Sequence, residues 1–381
     1  MKAIINAELV MRDHYIPDGV VLFEDGIIKG FGPMNKTEIP EGTEMIDAGG
    51  LYVGPGLMDI HVHAGNKIRF RQACLEPVKS HIIKGTTTIL PTLSFWFPLE
   101  TYLTASKEIR RVKNETREGQ AIGGIYMEGP YINPKFDGDP ELCWSNSIDK
   151  KDYLPLVDAV KDLVKVWALA PEREGILEFV KYIKGVCPDV KLTVAHSEAA
   201  PEDIEALIPY GLCIGTHHTN ATGDRPRYSE TRGVCVDETV NYHKDIYAEI
   251  ISDRLGIHVH PYMQRLVRQI KGNDRIILIT DQTYHDGPVP KGYEEATDIW
   301  FNRSGEIGGS ALTLNVACRN FMVHTGCSLV DVFNYASYNP ATAVGFTDRG
   351  EIAVGKRADL IIVDRKMDVK KVFLCGEEYN G

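Results

Sequence analysis

No two of the eight cysteines form a C-x-x-C pair, and they are not densely spaced in a short chain. This spacing excludes a disulfide framework and fits free thiols in a reducing cytosol. The opening residues, Met1 to Tyr15, lack the apolar run of roughly 7 to 15 residues that marks a secretory signal. No stretch approaches the roughly 18 uncharged apolar residues of a membrane span. The expected location is therefore the cytoplasm, with no membrane partner. Positive charge is also scarce, 42 Lys and Arg against 53 Asp and Glu, for a net charge of -11. Nucleic acids and acidic membrane surfaces attract a positive field, so neither is an expected partner. Any anionic ligand must be held locally, by a few arginines or backbone amides. There is no internal repeat, no low-complexity segment, and no G-x-G-x-x-G after a strand-like run, which argues against a doubly wound nucleotide-binding sheet.

What is present is an ordinary globular composition, 381 residues with 43% hydrophobic and 25% charged, enough to bury a large core. From residue 1 to about 55, short β-like runs alternate with turns: Ala3 to Leu9, Gly19 to Phe23, Ile27 to Phe31 and Leu51 to Val53. Strand character returns at Leu360 to Val363 and Val372 to Leu374. Neither end can build a core alone, so both termini (1–55 and 346–381) are expected to pair into one small β-sandwich.

The middle, 56–345, repeats a β-rich apolar run, a polar junction and a helical stretch. Eight such runs are legible: Leu57 to His63, Thr86 to Leu93, Ile122 to Glu128, Val164 to Ala170, Lys191 to His196, Leu212 to His217, Tyr247 to Ser252 and Arg275 to Asp281. Eight strands with intervening helices over roughly 250 residues or more predict a closed α/β structure, a (β/α)8 TIM-like barrel. One predicted helix carries Leu312, Val316, Cys318, Phe321 and Met322 on its apolar side, with Asn315, Arg319 and Asn320 elsewhere. Another starts at a Ser328–Asp331 capping pattern and is expected to end at Asn339-Pro340.

The chemistry gathers where these runs end. In His61-Val62-His63 the histidines stand at i and i+2 of a strand and point to one side. The third run ends in Glu128, the fifth in His196, the sixth in His217 and the eighth in Asp281. Taken singly, each is equally an ordinary polar group: a satisfied histidine, a solvated Glu, a capping Asp. Barrel topology, however, brings all strand ends into one ring, and five of eight carry His, Glu or Asp. Neutral imidazoles with a carboxylate suit Zn²⁺ or Fe²⁺ with a position open for water. His196, His217 and Glu128 make one position; His61 and His63, sharing Glu128, make a second, so one or two ions are expected. A bound ion lowers the pKa of water towards about 7, and Asp281 is then placed to take the proton and return it to a leaving amine.

These residues and their neighbours resemble the amidohydrolase superfamily and, within it, the N-acetylglucosamine-6-phosphate deacetylases, over nearly the whole chain. The resemblance rests on Gly54-Pro55-Gly56-Leu57-Met58-Asp59-Ile60-His61-Val62-His63, Met127-Glu128-Gly129-Pro130-Tyr131-Ile132-Asn133-Pro134, Thr216-His217-His218-Thr219-Asn220-Ala221 and Gly309-Ser310-Ala311-Leu312-Thr313. It implies hydrolysis of the N-acetyl amide of a small amino sugar phosphate, with release of acetate and a free amine, by a homodimer. It also implies that Asn220 and the Ala221 backbone hold the phosphate and that His258 contacts sugar or phosphate. Of Arg225, Arg227 and Arg232, which follow in unfamiliar context, Arg227 is the candidate phosphate ligand. The resemblance further implies a His after Glu128-Gly129-Pro130 that polarises the acetyl carbonyl, yet the segment Phe136 to Trp144 contains none. Two alternatives stand beside this reading. A cyclic-amide hydrolase or deaminase of the same scaffold is one, the former usually with a carboxylated lysine on the fourth strand, where Lys165 sits too early. A catalytically silent ligand-binding relative is the other.

Overall fold

In a computed structural model the described residues are 1–136, 144 and 147–381; most of the segment from Phe136 to Trp144, in which the resemblance implies a histidine, lies outside them. The eight expected runs form one parallel sheet in sequential order, from Leu57–Val62 through Thr86–Leu93, Ile125–Glu128, Val164–Leu169, Lys191–Val194, Leu212–Gly215, Tyr247–Ile251 and Ile276–Ile279. Each strand is followed by a helix, from Leu75–Ile82 after the first to Leu314–Thr325 after the eighth. This is the (β/α)8 barrel. Its strands are buried on both faces and read accordingly as apolar runs, Ile276–Ile279 being wholly buried. The covering helices are apolar on one side only: in Ile176–Val186 the buried residues are Ile176, Phe179, Val180 and Ile183, the i, i+3, i+4, i+7 stripe of a core-facing helix. Phe179 meets the rings of Tyr131, Tyr153 and Trp167 at 4.9–5.3 Å.

The ring closes at the carboxyl ends of the strands. Asp281 N donates to His61 O at 2.9 Å, His63 N and Ala64 N donate to Gln282 O at 2.8 Å, and Thr280 Oγ1 donates to the buried Asp59 carboxylate at 2.6 Å. Several strands stop short of the expected run because the chain turns there. His196, His217 and Asp281 take φ of 44°, 26° and 47°, a region that ends an extended strand.

Both termini enter one eight-stranded sheet. It forks along its first strand, Lys2–Val10, at Asn6, whose φ is 53°. Lys2 to Ile5 pair with Glu44–Asp47, a strand absent from the sequence reading, while Glu8 and Leu9 pair with Tyr52 and Val53. The two branches share one core of Ile4, Leu9, Val21, Phe23, Val53, Leu360 and Phe373. Gly56 links this sheet to the barrel: its N–H bonds Asp359 O at 2.8 Å, and a Cβ there would lie 2.0 Å from Thr87 Oγ1.

Two helical expectations are corrected. The helix at Leu314 begins two residues after Leu312, and Asn315 and Asn320, off its apolar stripe, are nevertheless buried. Their amides donate to Met367 O and Ser252 O, which satisfies them in the interior. The Ser328–Asp331 capping box forms in both directions, yet the chain does not leave the helix at Pro340. A π-helical turn over Asn334–Tyr338 precedes Asn339–Val344, and the wider turn accommodates a residue without an N–H. Gly345, at φ 91°, ends it.

Candidate metal centre and substrate cleft

Four imidazoles converge on one carboxylate. Glu128, the last residue of the third strand, has Oε1 at 3.3 Å from His61 Nε2 and 3.2 Å from His196 Nε2, and Oε2 at 3.4 Å from His63 Nε2. His217 Nε2 lies 3.6 Å from Glu128 Oε1 and 3.2 Å from His196 Nε2. These five residues make two groups that share Glu128, His61 with His63 and His196 with His217, each compact enough for one cation. Asp281 Oδ1 is 3.2 Å from His63 Nε2 and 3.8 Å from His61 Nε2. The convergence follows from local backbone. His61 and His63 share a face by strand alternation, whereas His196, His217 and Asp281 turn inward through left-handed backbone that costs a non-glycine residue of order 1 kcal/mol or more.

Each histidine presents Nε2 inward because Nδ1 is occupied behind it. The partners are Glu249 Oε2 for His61 at 3.2 Å, Ser94 Oγ for His63 at 3.0 Å, Phe136 O for His196 at 3.3 Å and Asn220 O for His217 at 3.1 Å. The carboxylate and the two carbonyls only accept, so they place the proton on Nδ1 and leave the Nε2 lone pair free, while the Ser94 hydroxyl can accept in the same way. The donor set, imidazole nitrogens with carboxylate oxygens, fits Zn²⁺ or Fe²⁺. His61 Nε2 is buried without a hydrogen-bond partner, the kind of atom that a cation satisfies.

The electrostatics reflect the crowding of imidazoles and carboxylates in one buried cluster. Burial opposes charge on Glu128, but His63, His196, His217 and His61 together hold its carboxyl well below the usual range. Burial likewise opposes ionisation of Asp281, and the bond from His63 with the field of His61 outweighs it, so its pKa is lowered. His61 is raised well above an ordinary histidine because Glu128 and Glu249 overcome the burial that disfavours its charge. Asp59, beneath the site, is pushed up to about 7 by burial, with the bonds from Thr280 and His61 N acting against it.

Above the cluster opens a cleft of about 580 Å³. Glu128, His63, His196, His217, Asp281, Asn220, Ala221 and His258 all line it. His258 Nδ1 is 3.1 Å from Asp253 Oδ2, and its buried Nε2 has no hydrogen-bond partner. Arg227 is not brought there: it is exposed, in the charged stretch 223–232, and does not line the cleft. The cleft's cations are instead Arg69 and Lys135. Arg69 Nη2 donates to Tyr284 O at 2.6 Å, and its guanidinium lies 5.6 Å from the Trp96 ring centre; Lys135 pairs with Glu198 at 2.6 Å.

Sequence reasoning missed Glu249, Ser94, Arg69, Phe95, Trp96 and His285. A signal existed for Glu249, a lone carboxylate inside the apolar strand Tyr247-Ala248-Glu249-Ile250-Ile251, where a charge is costly. Arg69 ends the short hairpin strand Ile68–Arg69 after the first barrel strand, and His285 sits on the loop after the eighth, both too short or irregular for periodicity to mark them. Lys165, the residue weighed for a carboxylated lysine, lies near the start of the fourth strand, 5.6 Å from the Phe346 ring centre and away from the cluster.

Comparison with known proteins agrees with this geometry. Residues 52–379 match the Amidohydrolase family. N-acetylglucosamine-6-phosphate deacetylase of Bacillus subtilis (strain 168) is 28% identical over 375 residues, covering 95% of this chain and 92% of that protein. N-acetylgalactosamine-6-phosphate deacetylase of Escherichia coli O157:H7 is also 28% identical, covering 97% of both. Among solved structures, N-acetylglucosamine-6-phosphate deacetylase from Pasteurella multocida superposes with a TM-score of 0.87 at 24% identity over the whole of both chains.

Proposed function

The chain belongs to the amidohydrolase family and is a hydrolytic enzyme; from that premise we propose that it removes the acetyl group from an N-acetyl amino sugar phosphate, giving acetate and the free amine. One observation carries the reading: four Nε2 atoms, the Glu128 carboxylate and Asp281 meet at the floor of one cleft. The names of the relatives support the substrate class, N-acetylglucosamine-6-phosphate or its galactosamine counterpart.

In this reading His61, His63, Glu128, His196 and His217 hold one or two divalent ions, Zn²⁺ or Fe²⁺. When bound, such an ion polarises an amide carbonyl and lowers the pKa of water. The chain's own residues do the rest. Glu128 fixes the two histidine pairs relative to each other. Asp281, held as a carboxylate, takes a proton from the attacking water at Oδ1 and passes it to the leaving amine nitrogen. His258 offers its free Nε2 to the sugar. Asn220 and the Ala221 backbone receive the phosphate, and Arg69 takes the part expected of Arg227, since an anion in an acidic protein needs a local cation.

Residues 56–345 form the catalytic barrel and 1–55 with 346–381 the supporting unit, in a cytoplasmic homodimer. No helix among the described residues is long and apolar enough to cross a membrane. The test is acetate release by the metal-replete protein from the two sugar phosphates and a panel of other N-acetyl amines. Release from a sugar phosphate is expected. Release from other amides alone moves the substrate, and none from any of them rejects the reading.

A further inference from the structure

Of the four back-side partners, three are neutral: the Ser94 hydroxyl and the carbonyls of Phe136 and Asn220. Only His61 is backed by a carboxylate. Glu249 is fully buried in the seventh strand. Its Oε2 lies 3.2 Å from His61 Nδ1 and also accepts from His217 N at 3.2 Å, while its Oε1 is buried without a hydrogen-bond partner. On the other side, the Tyr126 ring stacks on His61 with centroids 4.4 Å apart, and Tyr126 is itself fixed through its hydroxyl to Thr216 Oγ1 at 2.7 Å. His61 is therefore clamped with Nε2 toward Glu128.

A charge placed in an apolar strand with one oxygen unsatisfied is costly unless something cationic answers it. A negative partner at Nδ1 also makes Nε2 a stronger donor than a hydroxyl or carbonyl does. We propose that Glu249 is a positioning residue that sets the divalent-cation affinity of the His61–His63 position, making the two halves of the centre unequal. The inference rests on the metal-centre reading above, and the experiment separates their failures.

Zn²⁺ is titrated into metal-depleted full-length protein, and the number of ions and each dissociation constant are read by calorimetry, with bound metal counted after dialysis. The wild type is expected to take up Zn²⁺ at a His61-dependent position, absent in His61→Asn. In Glu249→Gln that position weakens by about 10- to 100-fold, while the His196–His217 position changes less than about twofold. Combined with His61→Asn, Glu249→Gln is expected to add nothing further, because Glu249 acts through the ring that was removed. Thermal unfolding in chelator checks the fold. Glu249→Asp, which withdraws the charge by one methylene, is expected to give the same selective loss should the Gln variant fail to fold. Wild-type affinities in the Glu249 variants, or equal weakening at both positions, overturn the assignment. Zn²⁺ uptake at the His196–His217 position alone in the wild type overturns the Glu249 assignment, and absence of any Zn²⁺ uptake overturns the metal-centre reading itself.

Discussion

Within the eighth strand, Ile276 through Ile279 are fully buried aliphatic side chains in extended backbone; two residues later Asp281 has turned to a φ of 47° and faces the cleft. The same change occurs between Val194 and His196 and between Gly215 and His217. The barrel wall and its rim thus obey opposite rules. The wall follows local preference, β-branched and aliphatic side chains in a parallel sheet, apart from the buried carboxyls of Asp59 and Glu249 that sit under the rim. The rim gathers carboxylates, imidazoles and left-handed backbone, each unfavourable alone and held in place by the wall beneath. Stability belongs to the first region and chemistry to the second, and the two can be broken separately.

The largest separation should come from removing metal. Prolonged chelation is expected to cut turnover of N-acetylglucosamine-6-phosphate at least about 1000-fold, with recovery on adding Zn²⁺ or Fe²⁺; the far-ultraviolet circular dichroism should stay unchanged. Truncating the wall does the reverse. Ile277→Ala is expected to cost about 2–5 kcal/mol of stability in urea unfolding, with kcat/KM within about twofold of wild type.

A pH effect follows from His81, buried beneath the first strand's loop with Nε2 at 2.8 Å from Ala64 O. Burial pulls its pKa down from 6.5 to about 4, against the raising effect of that bond. Between these values the unfolded chain binds the proton that the folded chain refuses, so stability falls as pH drops from 6.5 to 4. The contribution is about 3 kcal/mol, and His81→Gln should flatten that limb of the melting temperature against pH. Smaller again, Arg69→Ala should raise KM for the sugar phosphate about tenfold. Arg227→Ala, on exposed chain, should change it less than about twofold; an Arg227 effect as large as that of Arg69 would return the phosphate to the 223–232 stretch.

The wall was legible from sequence because burial on both faces writes long apolar runs, and all eight were located, with His61, His63, Glu128, His196, His217 and Asp281 at or just past their ends. Boundaries slipped by one to three residues at several strands because the departure from extended backbone depends on contacts made across the ring, such as Asp281 N to His61 O. The strand Glu44–Asp47 left no apolar signal, since three of its four residues are exposed. Arg69 was missed because its hairpin strand is only two residues long and carries no alternation to read. Arg227 rests on position in the resemblance alone, and its segment is charged, exposed and away from the cleft lining, where position says least about contact.

The most direct test of the division between wall and rim is Asp281→Asn, with bound metal, melting temperature and acetate release measured on one preparation. The account predicts wild-type metal content, a melting temperature at or above that of the wild type, and turnover lower by about 100- to 10,000-fold. Full turnover in that variant would contradict it, because the proton would then be travelling by another route.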